Sequence, residues 1–329
     1  MDRLPHAPLG LTVAPVTTEV PLFSVVLAAE ASKQHVGAAI DSLSAQRVPD
    51  FEIIMVTNDP EGTQRLVETA ARSDITMQTV QFPIADAGAG MSAGADAARG
   101  RYLAFLVAGD TFHPDRLEVF RRAIAGHHPL VWGFSGVEAL DESGDVVAED
   151  EVGDPMIREA VRLSRRPLEA TRMLSQLNTI VSNGNLVVES AWYARLGGFG
   201  DLKVAYGWDL ALRLLDVCAP FVAERSLYRH RLQRADPSGG TSAGQGRLTA
   251  ETARVLADYR RRSAHRIGFG PVAAAMDDVS PDDAWAIRAT LRTLARLRTV
   301  PPAYRAVRTT ARAARTFRRA LRRLSSSRS

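Results

Sequence analysis

The sequence holds one cysteine in 329 residues, Cys218, which excludes an internal disulfide framework and a thiolate metal cluster and fits a reducing cytoplasm. It contains no run of the roughly 18 consecutive apolar residues that a membrane-spanning helix needs. Acids are missing from one end: thirteen Arg and no Asp or Glu follow Asp283. Residues 1–283 therefore carry a net charge of −9, and the Arg-only end lifts the whole chain to +4. Two electrostatic objects share one chain. The opening "MDRLPHAPLGLTVAPVTTEV" has neither a basic start nor a sustained apolar stretch, so a loose tail is expected there and not a signal peptide.

What is present is an alternation. "LFSVVLAA" (22–29), "FEIIMV" (51–56), "TMQTVQF" (76–82) and "RYLAFLV" (101–107) are short apolar runs of the kind that form buried strands. Helical segments are expected between them, at "HVGAAIDSLSAQ", "TQRLVETAARS" and "SAGADAARG". Strands alternating with helices imply an α/β chain with a doubly wound, mostly parallel sheet. The pattern then changes to a hairpin turning at Asp141–Gly144, a helical stretch from Met156 to Leu174, a strand "NLVV" and a helix "WDLALRLLDV". "DPSGGTSAGQG" has linker composition.

The Arg-rich end has a period. In "AYRAVRTTARAARTFRRALRRL", Tyr304, Val307, Ala311, Ala314, Phe317, Leu321 and Leu324 recur at helical spacing with Arg on the other faces. A basic amphipathic helix of this kind suits an anionic membrane surface, reached through residues 284–324. Docking on the chain's own acidic body is the alternative. No base-stacking aromatics accompany the charge, so no nucleic acid is expected.

Two motifs bear on chemistry. "YLAFLVAGD" ends a strand at Asp110, and a strand that stops at an acid delivers it to the sheet's C-terminal edge. "GAGMSAG" places Gly88, Gly90 and Gly94 in a spacing that imitates a dinucleotide loop, with Asp110 twenty residues beyond Gly90.

Taken in order, "FSVVLAAEASKQHVGAAIDSLSAQ", "FEIIMVTNDPEGT", "GAGMSAGADAARGRYLAFLVAGD" and "NLVVESAWYARLGGFGDLKVAYGWDLALRL" resemble the family-2 inverting glycosyltransferases with the GT-A fold, over about Pro21 to Arg234. The resemblance implies a GT-A-like sheet with an acceptor-binding half and C-terminal helices. It implies a flexible tail (1–20), a transferase domain (21–235, with nucleotide-binding half 21–115 and acceptor half 116–235), a linker (236–248) and a basic helical extension (249–329). The sequence departs from the family where its chemistry sits. The family's Pro-Thr-Tyr-Asn is Ala28-Ala29-Glu30-Ala31, and its Asp-Asp turn is Thr57-Asn58 with Asp59 following. Its helix Asn is Ser92, its Asp-x-Asp-Asp is Val107-Ala108-Gly109-Asp110, and its Glu-Asp before Trp-Asp is Tyr206-Gly207.

Carried over residue by residue, the resemblance expects donor contacts at Ala28, Ala29, Asn58, Asp59, Ser92, Gly94, Asp110 and Arg229. It expects a divalent metal, Mg²⁺ or Mn²⁺, at Asp110 with His230 as a further ligand, and no organic cofactor. Tyr206 and Trp208 are expected at the acceptor, and Asp209 is the acid nearest the missing base, though an i+4 pairing with Arg213 is its alternative. The implied function is transfer of a sugar, with inversion, from a nucleoside-diphosphate sugar to a glycan or lipid-linked acceptor. The place implied is the cytoplasmic face of the plasma membrane, in envelope polysaccharide biosynthesis. A non-catalytic glycosyltransferase-like binding protein and an NAD(P)-dependent oxidoreductase are the alternatives.

Overall fold

Phe23–Ala28 (β1) and Phe51–Thr57 (β2) are buried at every position, as strands covered on both faces must be, and this is why they appear in the sequence as unbroken apolar runs. The structure is a computed structural model and describes residues 20–29, 33–58, 75–82, 87–126, 130–232 and 242–267. The second expected helix, Asp59 and the Arg-rich segment 284–324 lie outside the described residues. Thr76–Gln81 (β3), Tyr102–Val107 (β4), Thr111–Phe112 (β5), Trp132–Leu140 (β6), Val146–Val147 (β7), Val187–Glu189 (β8) and Phe221–Arg231 (β9) complete one sheet. Its order is β3-β2-β1-β4-β8-β6-β9-β5, with β7 paired to β6. The β3-β2-β1-β4 half is wholly parallel, so all four strands end on one edge. Beyond β4 the sheet is mixed: β8 runs antiparallel to both β4 and β6, and β6 runs parallel to β9.

The chain divides into two units, Met1–Leu256 and Ala257–Ser329. Of the second, the described residues are the end of the helix Ser242–Ile267, which begins inside the segment expected as a linker. Among the described residues no helix is long and apolar enough to cross a membrane.

The helix after β3 starts earlier than expected, running from Ala87 to Ala97, so Gly88, Gly90 and Gly94 are helical and buried. A dinucleotide loop would need those glycines in the turn before a helix, and they are not there; the oxidoreductase reading fails on this point. Gly94 serves close packing instead. A Cβ on it would lie 2.5 Å from Val26 Cγ1 and 2.6 Å from Val56 Cγ2. Glu52, an acid within apolar β2, is consumed at the opposite edge: it accepts from Ser24 Oγ at 2.6 Å and from the Arg99 guanidinium at 2.8 and 3.0 Å.

The helix Tyr206–Leu215 has Ala205 at its N-cap and so no side chain of its own to cap it. Two distant residues do the work. Asn183 Oδ1 accepts from the Gly207 amide at 3.0 Å, and the Glu251 carboxylate accepts from the amides of Lys203, Val204 and Ala205 at 2.8, 2.8 and 3.0 Å. Glu251→Ala leaves three amides without that acceptor and is expected to cost about 1–3 kcal/mol. Faster amide exchange at Lys203–Ala205 would accompany it; unchanged exchange there would contradict this assignment.

Candidate active site

The parallel strands deliver Ala28 and Ala29 (at the end of β1), Asn58 (after β2) and Val107–Asp110 (from the end of β4) to one edge, where ligands of such sheets bind. Gly109 makes the turn, with φ of +105° and nothing within 4 Å of a built Cβ, so conformation and not space requires glycine there. The turn drives Asp110 inward, where it is only 4% exposed.

Four donors meet that carboxylate. Ser182 Oγ donates to Oδ2 at 2.7 Å and Tyr228 OH to the same oxygen at 2.6 Å. His230 Nδ1 lies 3.0 Å from Oδ1, and the Arg231 amide donates to Oδ1 at 2.9 Å. Tyr228 and His230 reach it together because residues two apart on a strand share a face. Ser182 is presented by Val181, whose φ of +66° is a strained value for a β-branched residue. Over the Tyr228 ring sits Arg116, fully buried, with its guanidinium 4.7 to 5.3 Å from the rings of Phe112, Tyr228 and Phe120. Its one described hydrogen bond is to Ser135 Oγ, at 2.5 Å, and burial pulls its pKa down to about 9.

Burial alone would push the Asp110 carboxyl up, but the His230 imidazole and the hydrogen bonds from His230, Tyr228 and Ser182 outweigh it and hold it below the ordinary value of 3.8. Burial likewise pulls His230 down, and Asp110 more than reverses this, leaving it above 6.5. The signs then follow. The carboxylate contributes stability above pH 3.8 and loses it as pH falls through its depressed value; the imidazole contributes fully below pH 6.5 and loses it as pH rises through its raised value. The pair is therefore most stabilising between pH 3.8 and 6.5. The gap in Tm between wild type and His230→Asn should narrow as pH rises above that window; a gap that widens toward alkaline pH would contradict the pairing.

The same geometry revises several expectations. A divalent cation needs a carboxylate with lone pairs to give, and those of Asp110 are taken by four donors. Among the described residues no group of three His, Cys, Asp or Glu is placed to hold a metal ion. Asp110 and His230 do come together, but as a hydrogen-bonded pair and not as a ligand set. Arg229 points to the other face of β9, where its Nε donates to Glu138 at 3.1 Å. Ser92 Oγ bonds back to the Gly88 carbonyl at 3.0 Å, and Gly94 is packed under the sheet. Ala28 and Ala29 are buried, at 4% and 6%, while Asn58 is exposed at the edge.

The acceptor side changes more. Tyr206 is 2% exposed, its ring 5.0 Å from that of Phe199, and Trp208 is 5% exposed with Nε1 donating to the Leu174 carbonyl. Both rings belong to the core and offer no stacking wall. Asp209 is held by Arg213, Nη2 to Oδ2 at 2.7 Å, and that guanidinium also donates to the carbonyls of Leu196 and Gly198. Gly207, at the family's base position, packs so closely that a Cβ would lie 2.7 Å from Asn183 Oδ1 and 2.8 Å from Asn183 Cα. An open groove of about 380 Å³ lies along Phe82, Ala89, Ser92, Asp96, Phe199 and Asp201, and Ser92 is the one expected donor contact in its lining. Ser182, Asn183, Tyr228 and Glu251 were not singled out from sequence; only Tyr228 carried a signal, its i,i+2 spacing to His230.

Compared with known proteins, residues 24–175 match the family described as Glycosyl transferase family 2. Over 100 residues the chain is 29% identical to the amylovoran biosynthesis glycosyltransferase AmsB of Erwinia amylovora, covering 29% of this chain and 33% of that one. The chain thus spans about a third of that curated relative. TarS from S. aureus in complex with UDP-GlcNAc superposes with a TM-score of 0.52 at 17% identity, covering 75% of this chain and 70% of that one. The mannosyltransferase PcManGT of Pyrobaculum calidifontis, in complex with GDP-Man and Mn²⁺, gives 0.50 at 17% identity over 91% and 86%. PcManGT is a Mn²⁺-bound protein of similar fold, whereas among the described residues of this chain no group of three His, Cys, Asp or Glu is placed to hold a metal ion. Residues 24–175 thus resemble the glycosyl transferase family 2 sequences, and the chain shares the GT-A fold of these solved structures.

Proposed function

We propose that the protein transfers a sugar from a nucleoside-diphosphate sugar to a glycan or lipid-linked acceptor, with inversion. The observation that carries this reading is the edge where β1, β2 and β4 end beside His230 and Arg231, in a chain that resembles family 2 sequences. An acceptor oxygen attacks the anomeric carbon as the bond to the diphosphate breaks, so the leaving diphosphate needs positive charge nearby and the acceptor hydroxyl must lose a proton. The kinship with an amylovoran biosynthesis enzyme supports envelope polysaccharide as the product class. The basic amphipathic segment 284–324 supports work at the cytoplasmic membrane face.

A second reading, a donor-binding protein without turnover, is favoured by one observation: Gly207 and the Arg213-bound Asp209 leave no unengaged carboxylate at the base position. Release of nucleoside diphosphate from UDP-, GDP-, dTDP- and CDP-sugars in the presence of envelope glycan and lipid acceptors separates the two. Enzyme-dependent release from one donor supports the transferase; binding of a donor with no release supports the second reading.

A further inference from the structure

Resting on that reading of the site, we propose that the donor's diphosphate is held here without a divalent cation, its charge met by the His230 imidazole and the Arg231 guanidinium. Asp110 then acts as a positioning residue and not as a metal ligand. Its two oxygens accept from Ser182, Tyr228, His230 and the Arg231 amide, all between 2.6 and 3.0 Å, which leaves no lone pair directed outward. A cation entering this site would have to break a buried network before it gained a single carboxylate.

The same contacts orient the cationic groups. With Nδ1 committed to Asp110, the remaining polar atom of His230 is Nε2, which has no hydrogen-bond partner among the described residues, and the side chain is 24% exposed. This is the arrangement by which a carboxylate fixes an imidazole so that its second nitrogen addresses a ligand. Arg231 follows directly in the chain. Its guanidinium donates to three carbonyls, those of Gly109 at 3.0 Å and of Asp141 and Glu142 at 2.7 Å, and among the described residues to no carboxylate. It is thereby held rigidly beside the Gly109–Asp110 turn with its charge unpaired by its own contacts. The His230 Nε2 and the Arg231 guanidinium, both anchored near the end of β4, supply the donors and the positive charge that a diphosphate requires.

The test is a set of titrations of UDP, GDP, dTDP and CDP into the full chain, each in EDTA and each in Mn²⁺, with His230→Gln alongside. Glutamine removes the imidazole and its charge, and the variant's Tm is measured beside that of the wild type so that a folding defect is recognised. One nucleotide is expected to bind with a Kd that agrees within about twofold between EDTA and Mn²⁺. His230→Gln should weaken it by about tenfold or more, the loss of one charge-assisted hydrogen bond. Binding that appears only with Mn²⁺ overturns this inference and leaves the transferase reading standing. Metal-free binding that His230→Gln leaves unchanged overturns the assignment of His230. No binding of any nucleotide under either condition removes the inference and the transferase reading together.

Discussion

Asp110→Asn is expected to destabilise the protein by about 3–5 kcal/mol, the cost of leaving one partner of a buried ion pair uncompensated. For a folded unit of this size that corresponds to a fall in Tm of about 6–20 °C. Asparagine keeps the shape but turns an N–H toward donors. With Oδ1 kept toward His230 and the Arg231 amide, the new N–H groups face the Ser182 and Tyr228 hydroxyls, which must turn from donating to accepting and lose a charged partner. A carboxylate kept for metal binding behaves in the opposite way, because its neutralisation in EDTA relieves strain or changes nothing. Equilibrium unfolding in EDTA therefore discriminates between the roles. A loss below about 1 kcal/mol, within the range of ordinary surface substitutions, would contradict the structural role argued for Asp110.

Gly207→Asp, the substitution that restores the acid found in the family, is expected to cost more than about 3 kcal/mol and to yield no gain in turnover. Its Cβ would lie 2.7 Å from Asn183 Oδ1 and 2.8 Å from Asn183 Cα, so a backbone atom, and not merely a flexible side-chain end, would have to move. Overpacking of this kind costs about 1–3 kcal/mol, and a buried carboxylate facing an amide oxygen adds the penalty of an unpaired charge. The Gly207 amide would lose its acceptor as Asn183 is displaced, weakening a helix start that lacks its own cap. Asn183→Ala in the same chain removes the clashing oxygen and should recover part of the loss. Stability of Gly207→Asp within about 1 kcal/mol of wild type would show that the position still accommodates a carboxylate, and a rise in nucleoside-diphosphate release would restore the family's base.

What could be read from the sequence was what lies close along the chain. The strands β1, β2 and β4 show as apolar runs because both of their faces are covered, and the ion pair of Asp209 with Arg213 is an i,i+4 contact. The hairpin turn at Asp141–Gly144 was likewise legible, its Gly144 adopting φ of +96°. The role of Asp110 was not, since its side-chain partners lie 72 to 120 residues away. A strand-end acid looks the same in sequence whether it faces solvent and metal or turns into the core; only the positive φ of Gly109 and the arrival of β9 decide. Tyr206 and Trp208 misled for a related reason, because aromatic residues beside a functional motif serve equally well as core. The glycines of Ala87–Ala97 imitated a ligand loop while providing room for Val26 and Val56 beneath the helix.

The proposed donor site is the C-terminal edge of β1, β2 and β4 together with the end of β9. Amide hydrogen exchange with and without the nucleoside diphosphate that binds tests it most directly. Protection is expected at Ala28–Ala29, Thr57–Asn58, Ala108–Asp110 and Tyr228–Arg231, and is expected in EDTA as well as in Mn²⁺. Protection confined to the groove along Ala89–Asp96 and Phe199–Asp201, with none at Asp110 or His230, would place the ligand elsewhere and contradict the account.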